Sequence, residues 1–314
     1  MRKVTIIGAG AVGSAIGYLL VAEEVASEIV FIDVNKDKAA GEAMDIYQAT
    51  PFLSPTKVIE GSYEDAEGSD IVIITSGVAR KPGQTRIDLA KTNVNIINSI
   101  SKDIAKVCPN AIYIIVANPV DVLTYAFIKA SGIPANKVIG SGTSLDTARL
   151  KAKLAEIFKI NSMQIDAFCF GEHGDTQFIP WSLARIGGVP IDEYHKAMTT
   201  KYTELVEFNK DEVYDYVKKS GGYIIQRKGA TYNGVASAVT YICKSIFSGA
   251  DTILCISSLL NGEYGVKDVC LSTLAVVSSE GIKTTLTPTL TESESEKFKA
   301  SAIAMRKVIE EINV

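Results

Sequence analysis

The chain has 314 residues, of which 47% are apolar and 22% charged, enough for one large or two medium domains with real cores. Its 32 basic and 36 acidic side chains give a formal charge of −4 with no basic run, which argues against a nucleic-acid partner. The five cysteines (Cys108, Cys169, Cys243, Cys255, Cys270) are odd in number, scattered in apolar surroundings and form no C-x-x-C pair. They read as buried thiols of a reducing compartment, not as disulfides or zinc ligands, and no metal is expected.

Residues 4–22 carry no charge and follow Arg2-Lys3, so they could pass for a signal peptide or a membrane span. Four glycines interrupt the stretch, Glu23-Glu24 closes it without a cleavage motif, and the glycine spacing has a better explanation. Export and membrane insertion are therefore not expected. Residues 3–7 form a β-branched run suited to a strand buried on both faces. It enters Gly8-Ala9-Gly10-Ala11-Val12-Gly13, followed by a helical pattern through Leu20 and a second apolar run, 29–32, that ends in Asp33. Strand, G-x-G-x-x-G, helix, strand and acid in this order are the context of a dinucleotide site. Gly8 permits the tight turn, Gly10 lets the backbone approach a pyrophosphate, and Gly13 lets the helix pack on the strand. The free N–H groups and dipole of the helix then stabilise the phosphate charge. Asp33 would accept ribose hydroxyls and repel a 2′-phosphate, which favours NAD over NADP.

A helix is expected over 34–49, with Lys38 either a plain surface residue or near the adenine edge. Buried strands over 71–75 and 111–116 flank a long helical stretch, 87–108, so the first half predicts a parallel sheet with crossover helices. Ligands of such sheets bind beyond the strand C-termini. The segment 77–86 there is polar, contains Pro82 and Gly83, and carries Arg80, Lys81 and Arg86. It reads equally as a functional lid or as a solvated loop. Asn118, at the end of the 111–116 strand, could bond a cofactor or substrate, or cap the next helix. Asp146 and Arg149 project from one face of another helix. One could orient an imidazole while the other grips a carboxylate, or the two could form a surface salt bridge.

The stretch Phe168-Cys169-Phe170-Gly171-Glu172-His173-Gly174-Asp175 holds one of only two histidines. A histidine titrates near neutral pH and suits proton transfer, provided a cofactor, an orienting carboxylate and substrate-holding arginines accompany it. Farther on, the region 178–188 with Trp181 reads as core packing, His195 as a surface residue, and 201–219 as a charged helix. A more apolar helix is expected over 231–247, antiparallel strands over 253–260 and 267–279, and an amphipathic helix over 292–312.

Taken together, these motifs closely resemble those of the lactate/malate dehydrogenase superfamily, in order and spacing, over essentially the whole length. Asn-Pro-Val-Asp-Val-Leu-Thr-Tyr (118–125), Gly-Ser-Gly-Thr (140–143), Gly-Glu-His-Gly-Asp (171–175) and Lys-Gly-Ala-Thr-Tyr (228–232) are similar to the bacterial L-lactate type. The resemblance implies an α/β protein, a Rossmann doubly wound parallel sheet followed by a mixed α+β substrate domain, divided as 1–143 and 144–314. It implies NAD as cofactor, a small 2-keto/2-hydroxy acid as substrate, a cytoplasmic homotetramer, and no nucleic-acid or membrane partner. His173 would be the acid–base group, Asp146 its orienting carboxylate, Arg149 the substrate-carboxylate ligand and Arg86 the carbonyl-polarising group on a mobile loop. Asn118 would touch substrate and cofactor, and Thr231 the substrate methyl. Val12, Asp33, Lys38, Tyr63 and Gly77 would line the dinucleotide.

Two departures bear on specificity. Arg80 stands where lactate enzymes of the family usually have glutamine and malate enzymes have arginine, and such a cation would suit the second carboxylate of oxaloacetate. The surrounding Gln84-Thr85-Arg86-Ile87-Asp88-Leu89 follows the lactate pattern, so lactate is expected and malate is the alternative. The resemblance also implies a fructose 1,6-bisphosphate site built from an arginine and a histidine, where this chain has Lys151 and Asp166. Losing a cation and adding an anion should weaken phosphate binding, so little or no activation is expected.

Overall fold

The computed structural model describes residues 2–79, 83, 85–201 and 208–313. Arg80 and its neighbours 81, 82 and 84 lie outside the described residues, as do 202–207 within the expected helix 201–219.

The first half alternates strands and helices: β1 (Lys3–Ile7), α1 (Ala11–Ala22), β2 (Glu28–Ile32), α2 (Lys36–Ala49), β3 (Lys57–Glu60) and β4 (Ile71–Ile74). Then follow α3 (Arg86–Val107), β5 (Ile112–Ile115), α4 (Val120–Ser131) and β6 (Val138–Gly140). These six strands pair in parallel in the order β3-β2-β1-β4-β5-β6, so the winding reverses between β1 and β4. That reversal opens a crevice at the strand C-termini. Every residue of β2, β4 and β5 is buried, as apolar runs covered on both faces must be. Side chains alternate between two cores with the period of two that a strand imposes. Ile29, Phe31, Ile71 and Ile73 pack with Ile16 and Leu20 of α1, whereas Val30, Ile32, Val72 and Ile74 pack with Ile97 and Ile104 of α3. Each such isoleucine contributes about 1.5–3 kcal/mol on burial.

The second half contains α5 (Ser144–Phe158), the short strands β7 (Ile165–Asp166), β8 (Arg185–Ile186) and β9 (Val189–Pro190), and helices α6 (Ile191–Lys201), α7 (Lys210–Lys228) and α8 (Asn233–Ser248). It ends with β10 (Thr252–Asn261), β11 (Lys267–Ser278), β12 (Gly281–Thr285) and α9 (Glu292–Ile312). The antiparallel strands expected over 253–260 and 267–279 are present as β10 and β11, but they do not form a sheet of their own. Instead β10 pairs antiparallel with β6 at Ser257↔Gly140, so β12-β11-β10 extend the parallel sheet to nine strands across residue 143. Gly140 permits this approach, because a Cβ there would lie 2.8 Å from Ser257 Cβ. Only β7, β8 and β9 form a second sheet among the described residues, and they share a core with α5 and α7 through Leu150, Leu154, Val213 and Val217.

One sequence reading is corrected. His195 is half-buried, not a surface residue, with its ring edge-on to Phe158 (6.0 Å) and Phe208 (5.5 Å). Trp181 packs, as expected, on the α5–α7 core, half-buried and with Phe208 at 5.7 Å. All five cysteines are buried and unpaired. Among the described residues no helix is long and apolar enough to cross a membrane.

Candidate active site

The glycine turn closes tightly on itself. Gly8 has φ +111°, and a Cβ on it would lie 2.6 Å from Thr75 Oγ1, the hydroxyl that donates to Gly8 O at 2.8 Å. A Cβ on Gly13 would lie 2.0 Å from Gly8 O. Gly10 differs: nothing lies within 4 Å of where its Cβ would be. At the end of β2, Asp33 ties two loops together by accepting the Ala9 amide on Oδ2 (2.7 Å) and the Asn35 amide on Oδ1 (2.9 Å).

Beyond β4 and β5 a cavity of about 520 Å³ opens, within the range of roughly 300–1,000 Å³ usual for small-molecule sites. His173, Asp146, Arg149, Arg86, Asn118 and Thr231 all line it, with Val12 and Gly77 on the side of the glycine turn. The fold thus gathers onto one cavity residues that lie more than 140 positions apart in the chain. Gly8, Gly10, Gly13, Asp33, Lys38 and Tyr63 are not part of its wall. Lys38 is exposed in the first turn of α2, and Tyr63 is half-buried after β3, where it packs on the α3-side core.

Asp146 is the centre of the polar cluster at the cavity. Its Oδ2 lies 2.5 Å from His173 Nδ1 and its Oδ1 accepts Arg149 Nη1–H at 3.0 Å, with the carboxylate side chain 2% exposed. Orienting an imidazole and pairing with an arginine, posed as alternatives by the sequence, occur together on one buried carboxylate. The bond at Nδ1 fixes the tautomer and leaves Nε2 as the ring nitrogen available to the cavity. Burial favours the neutral forms of both partners, but each is outweighed by its neighbours. His173 and Arg149 hold Asp146 below the usual carboxylate range, while Asp146 and then Asp121 raise His173 above its ordinary 6.5.

Arg86 corrects another expectation. It is the first residue of α3 rather than a loop residue, because Thr85 and Asp88 form a reciprocal capping box that starts the helix there. Its exposed guanidinium pairs with Asp175 of the histidine loop. Lys218 of α7 donates to Asp175 O at 3.0 Å. Arg86, Arg149 and Lys218 against Asp146 and Asp175 leave an excess of positive charge on the described wall, which suits an anionic substrate.

Two supporting residues, Asn93 and Gly221, carried only a faint signal in the sequence. Asn93, buried in mid-helix, accepts the Val78 amide (2.9 Å) and donates to Asn118 O (2.6 Å), and so binds the two cavity loops to α3. Gly221 of α7 faces Arg149, whose Nη2 lies 3.5 Å from where a Cβ would be. A polar residue in a helix core and a Gly-Gly pair in a helix were the available clues.

Comparison with known proteins agrees with this geometry. Residues 2–140 match the lactate/malate dehydrogenase NAD binding domain and residues 143–313 the lactate/malate dehydrogenase alpha/beta C-terminal domain. This chain belongs to the lactate/malate dehydrogenase family. It is 44% identical over 310 residues to L-lactate dehydrogenase 1 of Clostridium acetobutylicum, covering 99% of this chain and 98% of that one. It is 42% identical over 314 residues to L-lactate dehydrogenase of Acetivibrio thermocellus, covering 100% and 98%. Among solved structures, a lactate dehydrogenase from a Medee basin deep-sea metagenome superposes with a TM-score of 0.95 at 37% identity over 100% of both chains. The minor L-lactate dehydrogenase of Enterococcus mundtii gives 0.93 at 37% identity over 98% of both.

The N-terminal half fits the NAD for which its family domain is named. Gly8 and Gly13 are required by contacts inside the protein, but Gly10 is not, and its open side is where a group lying on the α1 N-terminus would need the space. No side chain caps that terminus and no acid stands in its first turn, so its amides are free for a phosphate. Asp33 stands at the neighbouring strand end, the position that meets a ribose.

Proposed function

We propose that this enzyme is an NAD-dependent L-lactate dehydrogenase that interconverts pyruvate and L-lactate. The observation that carries the reading is Asp146, one buried carboxylate holding both His173 and Arg149 at the wall of a single cavity. When bound, NADH supplies the hydride that reduces the substrate carbonyl. The Gly8–Gly13 turn and Asp33 would hold the cofactor, with Lys38 and Tyr63 beside them and Val12, Gly77 and Asn118 at the cavity. His173 gives its Nε2 proton to the carbonyl oxygen, and takes a proton from the hydroxyl in the reverse direction. Asp146 keeps the imidazole in the required tautomer and stabilises its charged form. Arg149 grips the substrate carboxylate with the donors that Asp146 leaves free. Arg86 exchanges Asp175 for the carbonyl oxygen and stabilises the charge that develops there. Asn118 contacts the substrate, and Thr231 borders its methyl group.

The names of the relatives support lactate over malate, whereas the charge of Arg80 supports malate. The test is kcat/KM with NADH for pyruvate and oxaloacetate side by side. Pyruvate should lead by at least about tenfold, roughly 1.4 kcal/mol of transition-state preference. An equal lead for oxaloacetate would make the enzyme a malate dehydrogenase.

The same reading places the protein in the cytoplasm as a homotetramer, reducing pyruvate from glycolysis and regenerating NAD, with the chain divided as 1–143 and 144–314. Exposed Tyr18 and Met44 of α1 and α2 and Tyr241 of α8 are apolar surface suited to a partner subunit. Light scattering on the purified protein should give four times the chain mass.

A further inference from the structure

Three successive residues of the histidine loop give their amides to three different elements. Gly171 N–H donates to Ser272 O on β11 (2.9 Å) and Glu172 N–H to Ser301 Oγ on α9 (2.8 Å). His173 N–H donates to Oδ2 of Asp121, in the first turn of α4 (2.7 Å).

The third acceptor is unlike the others, because it belongs to an acid that is 2% exposed. The second oxygen of Asp121, Oδ1, accepts the hydroxyl of Ser257 on β10 (2.6 Å), and no basic side chain is bonded to either oxygen among the described residues. An asparagine could make both bonds, accepting the His173 amide on its oxygen and donating to Ser257 from its nitrogen. It would do so without the cost of burying a carboxylate. A buried acid where an amide would serve implies that the charge itself is used. Burial pushes Asp121 up to about 6, while the bonds from Ser257 and the His173 amide favour its charged form. The charged groups facing His173 are then Asp146, Asp121 and Arg149, with Glu172 close to Asp121.

We propose that Asp121 is a positioning residue for His173: it fixes the main chain that carries the imidazole and adds a second negative charge favouring the imidazolium. The proposal rests on the reading of His173 as the acid–base group.

The test reads the histidine directly. The chain has only two histidines, so NMR of the ¹³C-histidine-labelled protein resolves both, and His173→Asn identifies the signal of His173 without any substrate. The kcat and KM for pyruvate and NADH are measured on the same variants. Asp121→Asn, which preserves both hydrogen bonds, should move the His173 titration to lower pH while keeping kcat within about tenfold. Asp121→Ala should lose about 100-fold in kcat, the scale of a 1 Å misplacement, with KM for NADH unchanged. An unmoved titration in Asp121→Asn, or an unimpaired kcat in Asp121→Ala, would overturn the proposal. If the unaltered protein reduces neither pyruvate nor oxaloacetate but the titration still moves in Asp121→Asn, the dehydrogenase reading fails while the hold of Asp121 on His173 stands.

Discussion

The two loops at the cavity differ in how much of their shape comes from their own backbone. The glycine turn is set mainly by its own backbone: Gly8 and Gly13 meet each other, Asp33 ties the turn to β2 from 24 residues away, and one distant side chain, Thr75, braces it from 67. The histidine loop is assembled from afar, by Asp146 at 27 residues, Asp121 at 52 and Ser301 at 129. A loop shaped by its own backbone can be read as a motif. A loop held by distant side chains takes its shape from the fold, and its geometry is as precise as those anchors are rigid.

The comparison implies that damage to the histidine loop abolishes chemistry, whereas damage to the glycine turn acts on stability or cofactor affinity. The largest expected effect is that of His173→Asn, which should lower kcat by about 10³–10⁴-fold, the usual worth of an acid–base group, with NADH affinity unchanged by fluorescence titration. Unaltered turnover would remove His173 from the mechanism.

Asp146→Asn should cost about 100-fold in kcat, at the lower end of that range, and should also alter the pH profile. Reduction needs protonated His173. Burial opposes that charge, but Asp146 outweighs it and raises the histidine above 6.5. For the native enzyme kcat/KM for pyruvate should therefore be flat at lower pH and fall as pH rises through the raised value. Lactate oxidation should show the opposite dependence. In Asp146→Asn the fall should begin at lower pH, and an unshifted profile would contradict the pairing.

The glycine turn separates fold from ligand. Gly13→Ala places a methyl against Gly8 O, an overpacking cost of about 1–3 kcal/mol visible as a lower Tm in the absence of ligand. Gly10→Ala meets no protein atom within 4 Å, so Tm without ligand should be unchanged while Kd for NADH rises about tenfold. A fall in Tm for Gly10→Ala would show that the protein itself needs that glycine.

The smallest expected effect concerns fructose 1,6-bisphosphate. Lys151 lies over the Phe168 ring at 5.6 Å, and Asp166 is exposed on β7. Adding the bisphosphate should leave KM for pyruvate unchanged, and a large drop would show that a phosphate pocket persists.

Much of the fold was legible because β-branched runs, glycine spacing and capping residues act over short range. Four of the six parallel strands, β1, β2, β4 and β5, and α9, at 292–312 as expected, follow from such patterns, whereas the short outer strands β3 and β6 carried no apolar run long enough to mark them. The start of α3 at Arg86 was marked by Thr85 and Asp88, but the charged, Pro- and Gly-containing segment before it suggested a loop instead. The half-burial of His195 had no local signal, since Phe158 and Phe208 reach it from other elements.

The sequence by itself determined the glycine turn, the four middle strands of the parallel half of the sheet and the candidate acid–base and cationic residues. Tertiary structure decided that β10 would join β6, that one carboxylate would serve both His173 and Arg149, that Arg86 would rest on Asp175, and that Asp121 would hold the histidine backbone. The reason is physical. Backbone torsion and side-chain periodicity are set by near neighbours in the chain, whereas burial, pairing and charge depend on which distant segments the folded core brings into contact.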